Sequence, residues 1–211
     1  NNDMDQTPDG AILQRDKKTY AIVPKITAGM MSLENLKAIT AAVEKYDVPI
    51  VKIIAGQRIA LVGIDAETAR NIWNDMEMDV GRAVELCLHY VQACPGNVVC
   101  KFGLRDSLSL AHEIEESFSN YDFPAKIKIG VSGCPMCCGE SFLRDVGFVA
   151  KKKGWTVIFG GNSGGRPRIG DIIAEGVDRK QALNLSDRCL KYYRENARKR
   201  ERTARFVERV G

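Results

Sequence analysis

Three cysteines fall within five positions in the stretch VSGCPMCCGE, residues 131–140. The run before it, KIKIGV (126–131), reads as a β-strand, so these thiols sit in the loop that the strand feeds. A second pair, Cys94 and Cys100, lies in ACPGNVVC, where proline and glycine break regular structure. Each pair therefore presents its thiols from a loop. Four thiolates brought together satisfy a [4Fe–4S] cluster, at one cysteine per iron, or a tetrahedral zinc ion. Zinc sites more often use two CxxC pairs, and here only Cys134 and Cys137 form one. Cys87 and Cys189 fall in helical patterns and read as small core residues.

The rest of the chain is ordinary enough to fold around such loops. Its 211 residues are 45% hydrophobic and 27% charged, which suits one large domain or two small ones. No apolar run reaches the roughly 18 residues that a membrane helix needs. The opening NNDMDQTPDG is polar, with no charged-then-apolar leader, and reads as a loose terminus. A cytoplasmic, reducing location follows as the expectation. There, clustered cysteines are metal ligands or redox groups rather than disulfides, and an odd count of seven agrees. The net charge of +4 resides entirely in the last eighteen residues, so no general nucleic-acid surface is indicated.

Along the chain, TYAIVPKI (19–26) reads as a strand. Ser32 caps a helix with a stripe of Leu33, Leu36, Ile39 and Val43. IVKIIA (50–55) and RIALVG (58–63) form two strands around a short turn. Asp65 caps a second helix with Ile72 and Met76 inward. Residues 80–93 and 106–119 read as helical, with His89 and His112 in structural roles. DVGFVA (145–150) and WTVIFG (155–160) read as strands. The glycine-rich GGNSGGRPRIG (160–170) has the backbone freedom and exposed amides that suit anion binding. Residues 178–209 read as one long basic helix. The fold class is α+β: a loose terminus (1–15), a ferredoxin-like half-domain (16–78), a second α/β domain (79–177) and a basic C-terminal helix (178–211).

C-x5-C followed by C-x3-C, with SGCPxxCG and the glycine–arginine loop, resembles the sirohaem-dependent nitrite and sulfite reductases. The likeness covers most of the chain. It implies that Cys94, Cys100, Cys134 and Cys138 hold a [4Fe–4S] cluster, that Cys138 bridges to the sirohaem iron, and that Cys137 is a neighbour. It implies that Lys126 and Lys128, which share a strand face, reach the substrate, with Arg58 and Arg82 as further catalytic candidates. Arg105, Arg144, Gly161, Asn162, Gly165, Arg166 and Arg168 are the candidates for holding the carboxylates of sirohaem. Larger family members carry two copies of this unit. Here there is one, and homodimerisation or a partner takes the place of the second. At IAGQR (54–58) the family's substrate arginine falls on Gly56, as in the copy that carries the cofactors.

The implied activity is six-electron reduction of a small oxyanion, sulfite to sulfide or nitrite to ammonia. No flavin or nicotinamide motif is evident, so electrons come from a separate donor such as ferredoxin, with the basic C-terminal helix as its dock. Neither nucleic acid nor membrane is an expected partner. The competing readings are a [4Fe–4S] electron-transfer or accessory protein without sirohaem, and a zinc-stabilised binding module.

Overall fold

A computed structural model describes residues 7–82 and 85–211 of the chain. They form two units, Asn1–Glu85 and Leu86–Gly211. The fold is α+β, as the sequence implies.

In the first unit, β1 (Ile12–Leu13), β2 (Tyr20–Ile22), β3 (Ile50–Ile54) and β4 (Arg58–Ile64) make an antiparallel sheet in the order β1-β2-β4-β3. The hairpin β3–β4 turns at Gln57, which takes a left-handed backbone, φ 57°. Two helices, α1 (Leu33–Lys45) and α2 (Ala66–Met76), pack through a core of Ile22, Ile39, Ala42, Leu61, Ile72 and Met76. Ser32 and Asn35 form a reciprocal cap at the start of α1, and Asp65 accepts from the Thr68 amide, 2.7 Å, at the start of α2. The buried line of α1 begins only at Ile39, because Leu33 and Leu36 stay exposed. The segment 1–15 is also less loose than expected: Ile12 and Leu13 pair with β2. Residues 1–6 lie outside the described part.

In the second unit, β5 (Leu88–Ala93), β6 (Ile127–Ser132), β7 (Val146–Lys151), β8 (Gly154–Phe159) and β9 (Asp171–Val177) lie in sequential order in one sheet. The pairs β5–β6 and β6–β7 are parallel, and β7–β8 and β8–β9 antiparallel. Helix α3 (Ser107–Phe118) makes the crossover from β5 to β6, and α4 (Arg179–Asn196) packs on β8. Ile127, Ile129, Phe148, Ile158, Leu110, Ile114 and Leu190 are all but sealed from water. Each such burial stabilises the fold by about 1.5–3 kcal/mol.

The helix expected over 80–93 is corrected to strand β5, with residues 83–84 outside the described part. A strand buried on both faces shows a continuous apolar run without alternation, and periodicity alone does not separate that from a buried helix. His89 therefore lies buried on a strand, whereas His112 is exposed on α3, 3.4 Å from Glu116. The single helix expected over 178–209 is also corrected. It stops at Asn196 and restarts as α5 (Thr203–Val210). The break lets Arg202 and Thr203 reach the fully buried carboxylate of Asp145, at 2.7 and 2.5 Å. The same carboxylate accepts the Lys128 amide of β6 at 2.8 Å. One side chain thus ties the C-terminal arm to strand β6.

Asp145→Ala leaves these donors facing a void and is expected to cost about 3 kcal/mol in urea denaturation. Lys191→Ala, which removes an exposed pair with Asp187, is expected to change stability by about 0.5 kcal/mol or less.

Candidate functional site

Strands β5 and β6 are parallel neighbours, so their following loops leave the sheet at the same edge. Those loops carry the cysteines, and they are bonded to one another. The Cys94 amide donates to Val131 O at 3.1 Å, and the Leu104 amide to Gly133 O at 2.7 Å. The Gly133 amide donates to Cys94 Sγ at 3.0 Å. Ser107 Oγ, at the start of α3, holds Cys94 O at 2.6 Å. A Cβ on Gly133 would meet Gly96 Cα at 2.5 Å, so the two backbones touch where only glycine fits.

The loop after β6 then folds back over the sheet. A Cβ on Gly130 would lie 2.5 Å from Gly139 O, and one on Gly147 would run into Ser141 O. Ser132 Oγ accepts from the Gly139 amide at 3.0 Å and sits 2.8 Å from Ser141 Oγ. In this loop Cys134 is buried and Cys138 exposed. Cys137 takes a left-handed backbone, φ 57°, and its sulfur accepts from Ser132 Oγ at 3.8 Å. It is turned toward its own loop.

Among the described residues, no three His, Cys, Asp or Glu side chains gather as a single-ion site. A cubane takes one thiolate per iron, so its ligands are spread around it rather than converging on one atom. Four thiols on two locked loops, with the Gly133 amide on Cys94 Sγ, fit such a group.

Two lysines share a face at the other end of β6, away from the cysteines. Ile127 and Ile129 point into the core, which turns Lys126 and Lys128 to the other face, half-buried. Lys128 Nζ lies 5.7 Å from the Tyr90 ring centroid. Burial, and then the charge of Arg202, push its pKa below that of a free lysine. Asp145 opposes them, and Lys126 and Arg144 add to the depression. Arg144 is 5% exposed. It donates to Ser163 Oγ at 2.9 Å, to Gln92 Oε1 at 3.0 Å and to the Glu140 carboxylate. Its Nε is buried without a hydrogen-bond partner among the described residues, and so is Nε of Arg105.

The glycine-rich loop is more tightly tied than its composition suggests. Asn162 and Arg168 exchange backbone hydrogen bonds of 2.9 Å, and Asn162 Nδ2 holds Arg166 O. Arg166 pairs with Glu208 at 3.0 Å and Arg168 with Asp171 at 2.6 Å. Gly161 is packed against the 142–144 backbone, and only Gly165 stands in open space. In the first unit, Arg58 is buried and donates to Arg82 O at 3.0 Å, while Arg82 itself is exposed. Sequence reasoning missed Asp145, Gln92, Glu140 and Ser163. For Gln92 a signal existed: a polar residue inside the run LHYVQA.

A family model described as the nitrite and sulphite reductase 4Fe-4S domain matches residues 86–211. One described as the nitrite/sulfite reductase ferredoxin-like half domain matches residues 12–78. The chain is 56% identical over 208 residues to an assimilatory-type sulfite reductase of Nitratidesulfovibrio vulgaris, covering 99% of this chain and 95% of that protein. It is 38% identical over 201 residues to an NAD(P)H nitrite reductase of Bacillus subtilis, covering 95% of this chain but 25% of that protein. Among solved structures, Mycobacterium tuberculosis NirA superposes with a TM-score of 0.79 at 17% identity, over 98% of this chain and 42% of that one. Dissimilatory sulfite reductase I gives 0.77 at 13% identity, over 92% and 67%. At these identities the structures show the fold.

Gly130→Ala is expected to displace the cysteine loop and lower cluster iron per chain severalfold, whereas Gly165→Ala leaves it unchanged. Iron and acid-labile sulfide assays on the two variants check this.

Proposed function

The chain belongs to the nitrite and sulphite reductase family, and we propose that it reduces sulfite to sulfide by six electrons. Membership makes it an oxidoreductase and implies a [4Fe–4S] cluster and a sirohaem as its cofactors. The observation that supports the reading is the bond between the cysteine loops, Gly133 N to Cys94 Sγ, which brings two sequence-distant loops into contact. Sulfite is preferred because the chain matches nearly the full length of a sulfite reductase. It matches only a quarter of the nitrite reductase, so nitrite is the second reading.

Cys94, Cys100, Cys134 and Cys138 are the proposed ligands of the cluster. Cys138, exposed at the edge of its loop, is the proposed bridge to the sirohaem iron. Cys137 is occupied with Ser132 and is left out of the set. When bound, these groups supply single electrons and an iron that takes the anion. Arg144 Nε and Arg105 Nε are buried donors free for the macrocycle's carboxylates. Lys126 and Lys128 offset the charge of the oxyanion and give up protons as S–O bonds break. A lysine with a lowered pKa gives up its proton more readily, and the half-buried Lys128 is placed for that task.

The sign of the pH dependence follows. Lys128 is a donor only while protonated, so activity falls as pH rises through a pKa below that of free lysine. Lys128→Arg keeps the cation at all working pH but gives up no proton, so it is expected to lower kcat/KM and to remove the alkaline limb. Lys128→Ala is expected to lower kcat/KM by about a hundredfold. Turnover of sulfite and of nitrite with reduced methyl viologen tests the assignment. Sulfide formation with a higher kcat/KM for sulfite supports it. Turnover of nitrite alone moves the assignment to the second reading, and turnover of neither removes it.

A further inference from the structure

Two large side chains next to the proposed ligand Cys100 stand in water: Val99 is 77% exposed and Phe102 60%. Val98 and Leu104 of the same loop are exposed too, and so is Met136 on the second cysteine loop. Apolar side chains crowded onto an otherwise tightly bonded loop mark a contact surface. The edge of this one is basic. Lys101 Nζ lies 4.9 Å above the Phe102 ring. Arg105 donates to Lys152 O at 3.4 Å, which joins the cysteine loop to the lysine turn between β7 and β8. In that turn Lys151 is paired with Glu175, but Lys152 and Lys153 are exposed and enter no ion pair among the described residues. The nearby acids, Asp106 and Asp178, are spent on capping α3 and α4. A cleft of about 430 Å³, lined by Asn97, Leu104, Arg105 and Lys153 among others, separates the loop from the turn.

The C-terminal arm, which the sequence nominated as a dock, is differently employed. Arg202, Arg205 and Arg209 pair with Asp145, Glu208 and Glu201. Between α4 and α5 it exposes Arg198, Lys199 and Arg200, a segment anchored by Arg200 N to Pro124 O, 2.7 Å. Pro124 precedes β6, whereas the cysteines follow it. A six-residue strand separates the two ends by about 20 Å. A donor on that arm would sit a strand's length from the cysteines, at the end of β6 that carries Lys126 and Lys128.

We propose that an acidic one-electron carrier protein docks on the apolar surface of the Cys94–Cys100 loop, with Lys101, Lys152 and Lys153 as its cationic rim. Charge complementarity selects an acidic partner, and the position beside Cys100 makes it an electron donor. This rests on the reductase reading above. The rim charges steer association, and the apolar centre seats the partner over the proposed ligand.

The test titrates the cofactor-loaded protein with an acidic bacterial [4Fe–4S] ferredoxin at low ionic strength, by calorimetry and by stopped-flow reduction. Lys152→Glu with Lys153→Glu is expected to weaken binding and slow ferredoxin-driven reduction by about tenfold. Arg198→Glu with Lys199→Glu leaves both unchanged, and reduction by the methyl viologen radical is unchanged in every variant. Added salt should flatten the difference. The proposal is overturned if the lysine-turn variant binds as tightly as the unaltered chain, if the C-terminal variant carries the loss, or if the unaltered chain binds no ferredoxin. It is also overturned if light scattering shows a dimer that Phe102→Ser abolishes, because a second copy then covers the patch. Failure of viologen-driven sulfite turnover would instead remove the reductase reading, since the calorimetric titration needs no turnover.

Discussion

Parallel pairing of β5 with β6 decides where the chemistry is. Two parallel neighbours release their chains at the same edge of a sheet, so the segments after them are forced together. One begins with Cys94 and the other reaches Cys134 two residues on. An antiparallel pair would have sent the two loops to opposite ends. Everything that refines the site acts within this arrangement: the Gly133–Cys94 contact, the serine that holds Cys94 O, and the glycines that let the second loop lie on the strands.

Asp145 does a related job for the cations. Its buried carboxylate gathers the Lys128 amide, Arg202 and Thr203, so the strand bearing the lysines and the C-terminal arm share one anchor. The arrangement places Arg202's charge near Lys128 and helps depress that lysine's pKa. Arg202 is thus a structural and electrostatic neighbour of Lys128. Ion pairs with Asp145, Glu208 and Glu201 take up three of the arm's cations.

Much of this was legible in the sequence, for physical reasons that also mark its limits. Cysteine spacing, turn residues around each pair and strand alternation before Cys134 are local signals, and the fold class and family followed from them. Strand β5 was not legible, because LHYVQA is buried on both faces and so shows no period of two. The break after Asn196 was not legible either. Helix propensity runs through it, and the partner that the broken chain reaches is a carboxylate 58 residues away at Asp145. Arg166 illustrates the same limit: a glycine-rich loop promises open groups, while Glu208, 42 residues on, claims its guanidinium, and Asp171 just past the loop claims that of Arg168.

The most direct test of a single joined centre is Mössbauer spectroscopy of 57Fe-enriched protein purified anaerobically. A joined centre predicts about five irons per chain, four of them in one cubane, with the cubane lines magnetically split by the sirohaem iron in the oxidised protein. Cubane lines that remain unsplit beside a paramagnetic sirohaem would contradict the bridge, and iron in any form other than a cubane would contradict the site.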